Sequence, residues 1–199
     1  MKIVLASNNA GKLAEFNRLL EGSGVQAVAQ AELGVTDIEE TGLTFVENAL
    51  LKARNAARVT GLPALADDSG LCVDALDGAP GLYSSRYAGP EGDAGRNIDK
   101  LLRELAHVPD DRRTGHFVCA LVLLRHANDP QPIVLEGRWP GVILRERRGS
   151  GGHGYDPVFL DPVHGQTAAE MPLAFKNRIS HRGQAMALLA ARLPAAPVR

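Results

Sequence analysis

The sequence has 199 residues, of which 45% are hydrophobic and 23% charged, with a formal net charge of −1. This composition is typical of a globular chain that is long enough to bury a core. The near-zero charge argues against the basic surface of a general nucleic-acid-binding protein, although a few local lysines or arginines could still bind a small anion. The longest apolar run, residues 117–124, is much shorter than a membrane span, and the first apolar run ends at Ser7, too early for a secretory signal. With Cys72 and Cys119 both in apolar surroundings, we expect a soluble cytoplasmic protein with reduced thiols and no membrane or nucleic-acid partner.

The N-terminal segment combines a strand, a short polar loop and a helix. Residues 2–6 predict a central strand, and Ser7–Lys12 form the loop that leads into an amphipathic helix ending near Gly22. Its apolar face consists of Leu13, Phe16, Leu19 and Leu20. Backbone amides and the helix dipole favour an anion at such a helix start, and Lys12 in the first turn is unfavourable unless an anion is present. The alternative is an ordinary turn capped by Asn9, and the spacing of a Walker A loop is absent.

A second strand over residues 25–29 precedes an acidic loop and a helix. Thr44 and Glu47 have the spacing of a capping box, which predicts a helix that begins after Thr44 and ends at Gly61. Four small residues share one face of this helix: Ala49, Ala53, Ala56 and Ala57. Glu39 and Glu40 either interact with the dipole of this helix or contribute a carboxylate to a site.

The stretch from residue 62 to residue 74 carries two adjacent carboxylates. We expect residues 62–66 to form a buried strand that ends at Asp67 and Asp68, followed by a Ser69-Gly70 turn. Ligands bind outside the carboxyl ends of strands in open α/β sheets, and buried carboxylates require a partner. These acids therefore indicate a divalent-metal or general-base site, or else a turn in which they only cap backbone amides.

The C-terminal half predicts a mixed sheet. Residues 94–105 form an amphipathic helix, and residues 117–125 and 133–139 form two apolar strands that we expect to pair antiparallel. A glycine-rich loop over residues 149–157 leads into a strand at 158–160, and its glycines suggest either a close approach to a ligand or a disordered hairpin loop.

A final helix completes the predicted α/β fold. Its apolar residues are Ala185, Leu188, Leu189 and Leu193. Ser180 is its predicted N-cap, which puts His181 and Arg182 in the first turn, where cations again favour an anionic or electron-rich partner. Cations at helix starts and paired carboxylates together predict a bound polyanion with Mg²⁺, which prefers oxygen ligands and bridges to phosphates.

Five ordered motifs carry a family resemblance. They are Ser7-Asn8-Asn9-x-x-Lys12, Glu39-Glu40-Thr41-Gly42-x-Thr44-Phe45-x-Glu47-Asn48-Ala49, Ala66-Asp67-Asp68-Ser69-Gly70-Leu71, Gly154-Tyr155-Asp156-Pro157-x-Phe159 and Ser180-His181-Arg182. The set resembles the inosine triphosphate pyrophosphatase family, the dITP/XTP pyrophosphatases, over essentially the whole chain. The resemblance implies a single domain over residues 1–199, with an elongated mixed sheet flanked by helices and two lobes that share the sheet on either side of a cleft.

The resemblance also implies a function. The expected enzyme is a Mg²⁺-dependent, homodimeric hydrolase that converts ITP, dITP or XTP to the monophosphate and pyrophosphate. The alternatives are a pyrophosphatase for other modified nucleotides and a nucleotide sensor without turnover.

The resemblance assigns roles to individual residues. The triphosphate is expected on the loop residues Ser7, Asn8, Asn9, Ala10, Gly11 and Lys12 and on Lys52. Mg²⁺ is expected on Glu40 and Asp68, with Asp68 also the proton acceptor for the attacking water and Asp67 an ambiguous neighbour. The nucleoside is expected near Ser69, His153, Gly154, Tyr155, Asp156, Lys176, His181 and Arg182. Many family members have Phe at the position of His153, so we expect His153 to stack on the base and to make base affinity more sensitive to pH.

Overall fold

The computed structural model describes residues 1–192, which alternate between strands and helices. The strands are Lys2–Leu5 (β1), Gln26–Ala29 (β2), Ala64–Val73 (β3), Thr114–Leu124 (β4), Ile133–Ile143 (β5), Phe159–Asp161 (β6) and Gln166–Thr167 (β7). The α-helices are Ala10–Leu19 (α1), Phe45–Thr60 (α2), Ala94–Glu104 (α3), Leu173–Ile179 (α4) and His181–Ala190 (α5). Within residues 1–192, no helix has both the length and the apolar character that crossing a membrane requires.

The sheet is mixed, as predicted. Its strand order is β2-β1-β3-β4-β5-β6-β7. β1 pairs in parallel with β2 and β3, whereas β5 pairs antiparallel with β6, and β6 antiparallel with β7. The predicted α/β class is therefore confirmed.

The chain forms two compact units, each with its own core. Unit 1 comprises Met1–Asp68, Cys119–Glu136 and residues 185–192, and unit 2 comprises Ser69–Val118 and Gly137–Gln184. In unit 1 the predicted small face of α2 (Ala49, Ala53, Ala56 and Ala57) is buried, which allows the helix to pack closely. In unit 2 the core is aromatic and includes Phe117, Trp139, Tyr155 and Phe159.

The ends of α2 follow the predicted capping signals. Thr44 is the N-cap, and its hydroxyl accepts a hydrogen bond from the Glu47 amide at 3.2 Å. The Glu47 carboxylate in turn accepts from the Leu43 amide at 2.8 Å. Gly61 ends the helix with φ of +68°, a left-handed conformation that favours glycine. Both ends of the helix thus follow from local sequence.

The predicted strand end and turn at residues 67–70 are wrong. β3 is one strand of ten residues that continues through Asp67, Asp68 and the Ser69-Gly70 pair to Val73. The neighbouring strand β1 stops earlier, since it pairs with β3 only at Ala64 and Leu65. The two acids therefore lie within a strand, just beyond the point where β1 ends. Asp67 contacts Lys12 in the first turn of α1, whereas Asp68 contacts Asn48 and Lys52 on α2.

The last helical segment also differs from the prediction. Lys176 lies in α4, a helix of seven residues that begins after Pro172 without a side-chain cap, so its sequence carries no start signal. Ser180 separates α4 from α5, and its hydroxyl accepts from the Gly183 amide at 3.2 Å, as expected of the predicted N-cap. Leu193, assigned to the apolar face of the last helix, lies outside the described residues.

Candidate active site

The loop before α1 is shorter than the predicted Ser7–Lys12 segment, because α1 already begins at Ala10 and so includes Lys12 in its first turn. The loop is closed by its own side chains. Asn9 is the N-cap of α1, and its side-chain oxygen accepts from the Lys12 amide at 3.1 Å. The Ser7 hydroxyl accepts from the Asn9 amide at 3.2 Å. Asn9 therefore caps α1, and the capped helix start is still directed at the loop, so the cap does not decide between an ordinary turn and an anion site.

Asp37 contributes a contact that sequence reasoning missed. Its carboxylate accepts from the Asn8 side-chain amide at 3.2 and 3.3 Å and from Gln30 at 2.5 Å. Asp37 thereby attaches the Asn8 side chain to the segment after β2. The acidic loop was recognised in the sequence, but its pairing with a residue 29 positions earlier has no local signal.

Lys12 is held by Asp67. The Lys12 ammonium donates to both carboxylate oxygens of Asp67 at 2.9 Å, and the Asp67 side chain is fully buried. The cation in the first turn of α1 therefore has an anion within the chain itself. Asp67 thus orients the Lys12 ammonium beside the loop, where a bound phosphate could contact it.

Lys52 lies between the other two predicted acids. Its ammonium is 2.7 Å from a Glu40 oxygen and 3.4 Å from an Asp68 oxygen. Burial by itself lowers the pKa of Lys52, but the negative charges of Asp68 and Glu40 outweigh it and raise this pKa overall. Burial raises the pKa of Asp68, and Glu40 adds to the rise while Lys52 and Asn48 oppose it. The cluster thus combines two carboxylates that repel each other with one shared cation.

Asn48 also contacts this cluster, although the sequence motif gave it no role. The Asn48 side chain is buried, donates to Asp68 at 3.3 Å and accepts from the Gly42 amide at 2.8 Å. Its place in the Glu47-Asn48-Ala49 motif was the only available signal. The contact with Asp68, 20 residues away, depends on tertiary structure.

The Glu40–Asp68 pair fits a Mg²⁺ ion. Within residues 1–192 there is no cluster of three or more His, Cys, Asp or Glu side chains arranged for a metal. Mg²⁺ does not require such a cage, because it commonly uses one or two carboxylates, several waters and substrate phosphates. Two carboxylates that already converge on one cation, the Lys52 ammonium, supply suitable donors.

In unit 2 two of the predicted base-binding residues, His153 and Lys176, hydrogen-bond to a third, Asp156. The buried Asp156 carboxylate accepts from the Lys176 ammonium and from the His153 amide, the latter at 2.7 Å. Gly152 has φ of +71°, and a Cβ atom there would overlap the Asp156 carboxylate. The imidazole of His153 itself is 80% exposed. The glycine-rich loop is therefore an ordered turn folded around a buried ion pair, with the His153 ring at its surface.

The remaining predicted residues of unit 2 differ in what their side chains do. The Tyr155 ring belongs to the core, and its hydroxyl donates to the Ser84 carbonyl at 2.8 Å. The His181 ring stacks on Phe117 with 4.9 Å between centroids and 16° between planes. Ser69 and Arg182 are both partly buried.

Comparison with known proteins decides the family. The family model described as "Ham1 family" matches residues 3–192. The chain belongs to the Ham1 family. It is 62% identical over 194 residues to the "dITP/XTP pyrophosphatase" of Xanthomonas axonopodis pv. citri, covering 98% of each chain. The sequence resemblance is thereby confirmed.

Solved structures of Ham1 proteins have the same fold. The HAM1 protein from Coxiella burnetii superimposes with a TM-score of 0.95 at 51% identity, over 97% of this chain and 98% of the other. The nucleoside-triphosphatase, dITP/XTP pyrophosphatase, from Mycobacterium abscessus superimposes with a TM-score of 0.81 at 46% identity, over 98% and 100%.

Most of the predicted charged residues lie in two clusters. The acid–lysine cluster in unit 1 consists of Lys12, Glu40, Lys52, Asp67 and Asp68, next to the Ser7–Lys12 loop. The Asp156 cluster in unit 2 consists of His153, Asp156 and Lys176. Each cluster contains a buried carboxylate paired with a lysine.

Proposed function

We propose that the chain hydrolyses dITP, XTP and ITP to the nucleoside monophosphate and pyrophosphate, with Mg²⁺ as cofactor. The observation that carries this proposal is the placement of Lys52 between Glu40 and Asp68, beside a helix-start loop suited to phosphate. The family and the relatives named dITP/XTP pyrophosphatase support the choice of substrate.

The triphosphate is assigned to the loop and the two lysines of unit 1. Residues 7–12 offer backbone amides at the start of α1, and Lys12 and Lys52 add two positive charges. Because both lysines are already oriented by carboxylates, binding needs little ordering of their long side chains. Phosphate oxygens would share or replace those carboxylate contacts.

Asp68 is assigned as the proton acceptor. A water molecule attacks phosphorus at the anhydride bond between the α- and β-phosphates, its proton passes to Asp68, and that bond breaks to release pyrophosphate. The Asp68 carboxylate has only long contacts to its two donors, Asn48 at 3.3 Å and Lys52 at 3.4 Å, so its oxygens remain suited to accept a proton. Asp67 is the poorer candidate, because both of its oxygens already accept from Lys12. Glu40 and Asp68 would hold Mg²⁺, which neutralises phosphate charge and lowers the pKa of a bound water.

Base recognition is assigned to residues of unit 2, with Ser69, Gly154, Lys176, His181 and Arg182 among them. Hypoxanthine and xanthine have an acceptor oxygen at position 6, where adenine has a donor amine. Donors such as Lys176 and Arg182 pair with the oxygen, and one buried donor left unpaired by the amine costs about 1–3 kcal/mol. His153, exposed on its loop, is assigned to stack on the base.

The deciding experiment measures pyrophosphate release from dITP, XTP, ITP, GTP and ATP with Mg²⁺ at slightly alkaline pH, with and without EDTA. We expect fast, EDTA-sensitive release from the first three substrates. Equal rates on dITP, XTP, ITP and ATP would contradict the proposed selection for a 6-oxygen. Guanine shares that oxygen, so a slower rate on GTP would require a further feature of the site. Binding of the nucleotides without any release would instead indicate a sensor.

The resemblance to the family also underlies two assignments about the working protein. We propose that it acts in the cytoplasm and as a homodimer. Sedimentation velocity at micromolar concentration should give about twice the mass of the 21.2 kDa chain. A single species of monomer mass would contradict the dimer.

A further inference from the structure

We propose that Asn48 is a positioning residue that orients the Asp68 carboxylate and attaches it to the turn after Glu40. Its expected effect on turnover rests on the proposed function. Its contact with Asp68 does not, and the two can be tested separately.

The hydrogen bonds fix which way the Asn48 amide points. The Gly42 backbone N–H, which can only donate, lies 2.8 Å from the Asn48 side-chain oxygen. The Asn48 NH₂ group must therefore face the other way, where an Asp68 oxygen accepts from it at 3.3 Å. Because the side chain is only 2% exposed, little water is available to replace either bond.

Asn48 and Lys52 act on different oxygens of the same carboxylate. They lie four residues apart on α2 and so project from one face of the helix. Asn48 donates to Oδ2 of Asp68, and Lys52 lies 3.4 Å from Oδ1. Because each Asp68 oxygen has its own donor, rotation of the carboxylate is restricted. A general base needs such a fixed orientation to stay within hydrogen-bond distance of the attacking water.

The turn that carries Glu40 is packed against the same asparagine. A Cβ atom at Gly42 would lie 2.6 Å from Glu47 Cβ and 2.7 Å from the Asn48 side-chain oxygen. The backbone of this turn therefore lies directly on the start of α2. Asn48 connects this backbone segment to Asp68. One side chain therefore fixes the relative positions of the Glu40 and Asp68 carboxylates.

The first test is Asn48→Asp, which retains an acceptor for Gly42 and removes the donor to Asp68. Asn55→Asp is the matched control, because Asn55 is on the same helix and binds a loop carbonyl, Thr36 O at 3.1 Å, without contacting Asp68. For pyrophosphate release from dITP, we expect kcat of Asn48→Asp to fall about 10- to 100-fold with KM within about threefold. Asn55→Asp should retain kcat. An unchanged kcat in Asn48→Asp, or an equal loss in both variants, would overturn the positioning role.

The second test needs no activity. In Asn48→Asp two carboxylates face each other, and adding Asp68→Asn restores an amide–carboxylate pair with the donor and acceptor exchanged. We expect Asn48→Asp to lower Tm at pH 8 by about 4 °C or more, and Asp68→Asn to raise Tm in that background by at least about half of the loss. If the changes in Tm caused by Asn48→Asp and by Asp68→Asn simply add in the double variant, the Asn48–Asp68 contact would be overturned.

The two tests separate the two proposals. Failure of the wild-type chain to release pyrophosphate would contradict the proposed function, while the Tm measurements would still decide the Asn48–Asp68 contact. If Asn48→Asp does not fold, Asn48→Ser provides the same comparison without a new charge. Its hydroxyl can still accept from the Gly42 N–H, but it lies one bond closer to the helix than the Asn48 amide nitrogen, which weakens the donor contact to Asp68. We therefore expect a smaller kcat loss, and a kcat equal to that of wild type would overturn the role.

Discussion

Two aspartates, a buried one in unit 2 and a partly buried one in unit 1, show how different the surroundings of a carboxylate are in this chain. Asp161 of unit 2 is 3% exposed and accepts from Trp139 Nε1 at 2.9 Å and from the Val163 and His164 amides at 2.8 and 3.2 Å. Burial alone raises the pKa of Asp161, but these hydrogen bonds outweigh it and lower the pKa. Asp68 of unit 1 has donors at 3.3 and 3.4 Å and a raised pKa, caused first by burial and then by Glu40.

We interpret the difference as that between a structural acid, Asp161, and the proposed proton acceptor, Asp68. Fixed donors at short distance stabilise the ionised form of Asp161 and make it a poor proton acceptor. Asp68 has longer contacts and a neighbouring negative charge, so a proton or a cation on it relieves repulsion. We therefore expect substitutions at Asp68 to affect turnover and substitutions at Asp161 to affect stability.

The largest expected effect is that of Asp68→Asn on catalysis. Loss of the proposed base should reduce kcat for dITP on the order of 10³-fold, while nucleotide affinity stays within a few fold. Asp161→Asn, the matched change in unit 2, should leave kcat within about twofold at 25 °C. Pyrophosphate release and calorimetric titration with a non-hydrolysable nucleotide measure both quantities. Turnover that survives in Asp68→Asn would assign the base elsewhere.

Local signals explain which parts of this comparison the sequence could predict. Thr44, Glu47 and Gly61 determine the ends of α2 through contacts within four residues, so the helix was predicted correctly. The Asp67–Gly70 stretch has turn composition, yet it lies within β3, because pairing within a sheet overrides local preference.

The pairing of side chains could not be predicted in the same way. Lys12 and Asp67 are 55 residues apart, and Lys176 and Asp156 are 20 apart, with no periodicity that joins them. The family resemblance supplied the candidate residues, but not the contacts of Asp37 and Asn48. The Tyr155 ring packs in the core of unit 2, a position that its place in the Gly154-Tyr155-Asp156 motif did not indicate.

Arg113 and Lys52 show a similar difference between a structural cation and one at the candidate site. Unlike Lys52, the fully buried Arg113 donates to backbone carbonyls, those of Leu105, Ile143 and Leu144 at 2.5, 2.8 and 2.9 Å. Burial, with a contribution from Arg145, lowers its pKa. Arg113→Met would leave three carbonyls without this donor, so we expect a loss of about 3 kcal/mol in the free energy of unfolding, seen as a fall in Tm of about 6–12 °C.

The neighbouring exposed residue is the control for this change. Arg112→Met should alter the free energy of unfolding by less than about 0.5 kcal/mol. Both variants should retain kcat at 25 °C. Equal Tm values for the two would mean that the carbonyl contacts of Arg113 contribute nothing to stability.

A smaller effect is expected from glycine substitutions around Asp156. Gly152 and Gly154 both have left-handed φ values, +71° and +60°, but only at Gly152 would a Cβ atom overlap the Asp156 carboxylate. Gly152→Ala should therefore raise KM for dITP several-fold more than Gly154→Ala, where backbone strain of roughly 1 kcal/mol is the only penalty. Equal KM values would show that the Asp156 turn does not contribute to binding.

The smallest expected effect is a pH dependence of stability that arises from Asp161. Because the pKa of Asp161 is lower in the folded than in the unfolded chain, its contribution is present above about pH 4, the unfolded pKa, and is lost as pH falls further. The wild-type free energy of unfolding should then fall more steeply from pH 4 to pH 2.5 than that of Asp161→Asn, which cannot take up this proton. Urea titrations at each pH measure the difference, with exposed Asp111→Asn as the control. If Asp111→Asn flattened the pH profile as much as Asp161→Asn, the hydrogen bonds to Asp161 would not be the source of the pH dependence. The difference between Asp161 and Asp68 would then be one of burial alone.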